Sequence, residues 1–156
     1  MDLIEKIRQQ WLAETIKQPV CTKEELYSFE LKNNVMLPND LKIYFQSLNG
    51  TGENYDDNFF QFYSLNQFQK ISEEYQDWQG IPNYGNISNT LINCENYFVF
   101  ANYNCHLFAY AIFINNDSES NGIIVICGDE FKKIASSFSE FLNLYLNNSI
   151  ELFFNT

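Results

Sequence analysis

Leu37-Pro38-Asn39-Asp40-Leu41-Lys42-Ile43-Tyr44-Phe45-Gln46-Ser47-Leu48-Asn49-Gly50 reads as one complete helix with both ends marked. Pro38 fits the first turn, where a missing N–H costs nothing and the fixed φ is already helical. Asp40 places negative charge at the positive end of the helix dipole. Leu41, Tyr44, Phe45 and Leu48 recur at i, i+3, i+4 and i+7, so one face is apolar. Asn49-Gly50 supplies residues that tolerate the positive φ of a helix end. Such a helix needs neighbours to cover its apolar face.

Upstream, Thr22-Lys23-Glu24-Glu25 has the form of a capping box and predicts a helix from Lys23 to about Asn33, burying Leu26 and Phe29. Residues 1–18 predict an amphipathic helix, with Ile4, Ile7 and Trp11 on one side and Pro19 beyond its end. Downstream, residues 51–58 form a polar loop and 59–63 a strand. Ser64 is expected to cap a helix carrying Phe68, Ile71, Tyr75 and Trp78. Residues 79–93 read as loop, and 97–103, 107–114 and 123–127 as strands, the last two joined across the polar stretch 115–122. Ser137-Phe138-Ser139-Glu140 opens a closing helix with Phe138, Phe141, Leu142, Tyr145 and Leu146 in period. This order predicts an α+β fold: a single domain over 1–156 whose largely antiparallel central sheet is packed by N-terminal helices and a C-terminal helix. Residues 1–21 form a helix and connection, and 22–156 the core.

The chain's 156 residues, 46% hydrophobic with 15 Phe and 10 Tyr, suffice for a sizeable core. Nine basic against 20 acidic residues give a net charge of −11. That disfavours a phosphate-binding surface and suits a basic protein partner. Cys21, Cys94, Cys105 and Cys127 show no clustered spacing, and no apolar run reaches membrane-spanning length. The charged start, Asp2 to Lys6, lacks a secretory apolar segment. A cytoplasmic setting with reduced thiols, no nucleic-acid partner and no membrane is the expectation.

Catalytic patterns are scarce. His106 is the only histidine and follows Cys105 directly; in a strand the two would point to opposite faces. No phosphate loop or nucleophile elbow occurs. Glu53, Asp56 and Asp57 could make an acid/base pair or, with Asn58, a Ca²⁺ site, but consecutive loop carboxylates diverge and the spacing is not that of a calcium loop. No enzyme activity, cofactor or metal is expected. Loops 51–58, 77–89 and 115–121 interleave acids with aromatics, a pattern suited to an interface. The candidate partner-binding residues are Glu53, Tyr55, Asp56, Asp57, Asp77, Tyr84, Asp117 and Glu119. Trp78 competes with them but equally completes a core stripe.

The Leu37-Pro38 helix ending in Asn49-Gly50 resembles the signature of the SUKH superfamily, which contains bacterial immunity proteins and yeast regulators of cell-wall assembly. Three later features agree in order: Phe100-Ala101-Asn102-Tyr103, Tyr110-Ala111-Ile112, and the helix from Ser137 through Leu142. The resemblance runs from about Thr22 onward. It departs at Asn102, where many relatives carry Asp, and at Gly50, where a glycine pair is common. It implies an immunity protein that binds and neutralises a cognate polymorphic toxin, many of which are nucleases. A monomer or weak homodimer is expected, with the oligomeric state left open by the sequence. The alternative it implies is a non-catalytic adaptor or scaffold binding a cellular partner.

Overall fold

A computed structural model describes residues 2–117 and 121–154. Helix α1 spans Leu3–Ala13, with Asp2 as N-cap accepting from the Glu5 N–H at 2.8 Å. It ends five residues before Gln18, because polar Glu14 and Thr15 end the apolar stripe while Ile16 must still be buried. The chain leaves the helix through Thr15, at φ +62°, and turns Ile16 inward.

Helix α2 spans Lys23–Asn33, and both arms of its capping box form: the Glu25 N–H donates to Thr22 Oγ1 at 3.1 Å and the Thr22 N–H to Glu25 Oε1 at 3.2 Å. Replacing Thr22 with Ala is expected to cost about 1 kcal/mol, read as a lower urea midpoint at unchanged slope. Helix α3 spans Asn39–Ser47, so Pro38 sits just ahead of the first turn rather than inside it. Asp40 reaches beyond its own helix and accepts from Ser139 N at 2.8 Å and Ser139 Oγ at 2.9 Å. The Asn-Gly stop is also a clamp. Asn49 donates to Pro19 O and accepts from Leu65 N, while a Cβ on Gly50, at φ +85°, would lie 2.6 Å from Phe62 O.

The sheet is antiparallel throughout, with strands β1 (Phe60–Phe62), β2 (Gln69–Lys70), β3 (Tyr97–Tyr103), β4 (Phe108–Phe113), β5 (Ile123–Cys127) and β6 (Glu130–Ala135). Its order is β1-β3-β4-β5-β6, and β2 pairs with the same side of β3 as β1, further along it. The sequence did not predict β6. Its Glu-Phe-Lys-Lys-Ile-Ala run lacks a continuous apolar stretch because it is a largely exposed edge, the place where lysines are tolerated.

Helices α1, α2, α3 and the closing helix pack on one face, burying Phe98, Phe100, Tyr110, Ile112 and Val125 among aromatic side chains. The other face, with Val99, Ala109, Ala111, Ile124 and Ile126, is covered by the segment from Ile71 to Cys94. That segment holds the short helices α4 (Ile71–Glu74) and α5 (Ile87–Thr90). The long helix expected after Ser64 is therefore absent. Phe68 belongs to the first core, against Phe29 and Phe98, whereas Ile71 and Tyr75 belong to the second. No single helix could serve both faces, so the chain turns at Ser64, crosses the sheet margin as β2, and continues as α4. Helix α6 (Phe138–Leu146) closes the fold; Ser137 accepts from the Glu140 N–H, and the Glu140 side chain reaches back to Ser136 N rather than Ser137 N.

Candidate partner-binding end of the sheet

One irregularity organises this end. The register of β3 against β4 shifts between Val99 and Ala101, so Phe100 and Ala101 both serve the helical core and Asn102 emerges on the opposite face. Asn102 is 0% exposed, and its amide bonds are all used. Its Oδ1 accepts from the Tyr55 hydroxyl at 2.9 Å and from the His106 N–H at 3.1 Å; its Nδ2 donates to Gln61 Oε1 at 3.0 Å and the Tyr63 hydroxyl at 3.2 Å. The Tyr63 hydroxyl in turn donates to Glu74. Burial and the adjacent Glu74 carboxylate push Tyr63 far above the usual tyrosine range, so this donor stays protonated.

Asn102 thereby fixes the β3–β4 turn. Asn104, Cys105 and His106 all have positive φ, at 50°, 55° and 68°. Cys105 and His106 thus lie in a tight turn rather than on a strand. Tyr75 bonds His106 Nδ1 at 2.9 Å, the Tyr84 hydroxyl donates to His106 O at 2.7 Å, and Tyr75 stacks on Tyr84 with centroids 4.0 Å apart. Trp78 packs 5.1 Å from the imidazole and donates to Pro82 O. Burial holds His106 below its ordinary value against the opposing pull of Glu74, which keeps the ring neutral at pH 7. On the turn's other flank Asn104 N donates to Phe59 O; Phe59 has φ +70° and is 58% exposed.

The candidate residues are placed unequally. Glu53 and Asp57 are exposed on the 51–58 loop, Asp77 is exposed beside Trp78, and Tyr55 is half-buried in the Asn102 network. Asp56 and Tyr84 are not surface anchors, at 4% and 1% exposed. The Asp56 carboxylate turns inward to accept from Asn58 N, Phe60 N and the Tyr145 hydroxyl, because otherwise the last two donors would be buried without this acceptor. That inward turn also removes it from any calcium site with Glu53 and Asp57. Tyr84 is drawn inside by its stacking on Tyr75. Asp117 is exposed on the 114–117 stretch, away from this end in the chain, and Glu119 lies outside the described residues. Sequence reasoning missed Phe59, Glu74 and Glu14, whose carboxylate accepts the Asp57 N–H. No local pattern marks them; topology assembles them.

From Ile43 to Phe131 the only Lys or Arg is Lys70, so the segments that carry Glu53, Asp57, Glu74 and Asp77 are strongly acidic. Among the described residues, no three His, Cys, Asp or Glu side chains converge to hold a metal ion, and no helix is long and apolar enough to cross a membrane. A match to the SMI1/KNR4 family (SUKH-1) covers residues 20–144. The chain belongs to that family. The matched span includes Asn102, the left-handed turn and the 51–58 loop, and leaves out α1 and Tyr145, which together anchor Asp56. No curated protein matches the chain.

Proposed function

We propose that the chain is an immunity protein, docking this acidic, aromatic end of the sheet onto a basic toxin and blocking it. The observation that carries the reading is the concentration here of non-glycine, non-asparagine residues in left-handed backbone. Phe59, Cys105 and His106 share this end, and Thr15 follows Glu14, which bonds the same loop. Such conformations cost roughly 1 kcal/mol or more each and persist where surrounding structure over-determines them, commonly at binding sites. Here they hold an exposed Phe59, with Tyr55 and Trp78 half-buried, beside the carboxylates of Glu53, Asp57 and Asp77. An aromatic centre with an acidic rim is complementary to the cationic surface that a nuclease must present to its substrate.

The test is salt-stepped affinity capture from the source organism, followed by co-expression. One basic protein retained at near-stoichiometric amounts, whose toxicity the chain relieves, supports the immunity reading. Several housekeeping proteins with no toxic member favour an adaptor instead. Against a captured basic partner, the double substitution Glu53→Lys with Asp57→Lys is expected to slow association about tenfold at low salt and flatten its salt dependence. Stopped-flow mixing at two ionic strengths checks this. Unchanged association would remove the loop from the contact.

A further inference from the structure

At the other end of the helical layer, α1, α3 and α6 leave a groove of about 600 Å³. Leu3, Ile4, Ile43 and Leu142 give it apolar walls, and Ile43 is 43% exposed although it stands on the helix that centres the core. The groove is separate from the acidic end: Leu3 lies roughly 12 Å along α1 from Trp11, which bonds Tyr145 beside Asp56.

What fits the groove follows from its walls. All three are helices, which present no extended row of unpaired backbone groups, so they offer no ladder for an added strand. Among the described residues no aromatic side chain lines it, so it lacks the slots that grip a polyproline segment. An amphipathic helix remains, its aliphatic side chains spaced at i, i+3 and i+4 along one face. The charge around the walls selects its sign. Among the described residues the lining carries three carboxylates, Asp2, Glu5 and Asp40, against one cation, Arg8; Arg8 pairs with Glu5 and donates to Ser47 O, which leaves Asp2 and Asp40 as the net charge.

We infer that this groove binds one face of a basic amphipathic helix from a protein partner. The wall formed by α1 lies outside the family match, so this surface extends what the family domain offers and does not depend on the toxin reading.

The test uses the full chain, isotope-labelled, with two synthetic 14-residue peptides: a helix-forming Leu/Lys sequence and its Leu/Glu counterpart. The Leu/Lys peptide is expected to saturate at one equivalent, with NMR shifts confined to Leu3, Ile4, Arg8, Ile43, Ser139 and Leu142. Ile43→Glu, at an exposed position compatible with folding, should weaken it at least tenfold, and Leu3→Glu should do the same. The Leu/Glu peptide should not bind. Shifts scattered over Glu53, Asp57 and other surface acids, or affinity indifferent to Ile43→Glu, would show general charge attraction and overturn the inference, as would the absence of binding.

Discussion

Replacing Asn102 with Ala should lower the stability of the fold by about 4 kcal/mol, and the melting temperature by about 10 °C. The side chain is fully buried and satisfies four groups at once: the Tyr55 and Tyr63 hydroxyls, the His106 N–H and the Gln61 amide. Tyr63 keeps Glu74, and Tyr55 is near enough to the surface to find water. The His106 N–H and the Gln61 carboxamide are left with unmet demand, and a cavity adds to the loss. Calorimetry of the variant checks the magnitude; a drop of under 1 kcal/mol would mean that the turn is held by its aromatic packing alone. Asn102→Asp, the residue the resemblance leads one to expect, should be milder and pH-dependent. A protonated Asp supplies one of the two donors lost from Asn102, and a buried carboxylate near Glu74 is penalised when charged, so the variant should come closest to the parent at low pH and fall further behind as pH rises.

The second large effect is at Asp56. Asp56→Ala should cost about 3 kcal/mol, because the Phe60 N–H and the Tyr145 hydroxyl lose their acceptor inside the fold. Tyr145 also accepts from Trp11 Nε1 at 2.9 Å and Gln10 Nε2 at 3.0 Å, so loosening it loosens the docking of α1 on α6. Limited proteolysis near Gln10 should accelerate in the variant. Burial raises the Asp56 carboxyl above the ordinary aspartate range, although Tyr145 and two backbone N–H groups pull it down. A folded pKa above the unfolded one means that its contribution is fully present below the unfolded value and is lost as pH rises through the folded value. The stability gap between the parent and Asp56→Asn should therefore shift in the parent's favour as pH falls from 7 towards 4. Paired urea titrations measure it, and a gap that shifts the other way would contradict the burial argument.

Much of the fold was legible because its signals are local. Thr22 with Glu25, the Leu41-Tyr44-Phe45-Leu48 period and the closing helix from Ser137 each need only a turn or two of chain. What failed depended on the sheet's two faces. Phe68, Ile71 and Tyr75 keep a helical spacing, yet the sheet margin passes between Phe68 and Ile71, and tertiary position overrode the period. The same blindness affected the site. Tyr55 and Trp78 are half-buried at the proposed surface, but Tyr84 and Asp56 are equally polar-loop residues and are drawn inside by Tyr75 and Tyr145. Only the bulge in β3, invisible in Phe100-Ala101-Asn102, decides that Asn102 faces Tyr55 and Tyr63 rather than the helical core.

Hydrogen exchange of the chain with and without its captured partner tests the docking surface most directly. Slowed exchange at 53–59, 75–84 and 104–107, with the β6 edge unchanged, is the predicted result. Protection confined to β6 or α2, with those three segments exchanging as in the free chain, would contradict the assignment of this end as the binding surface.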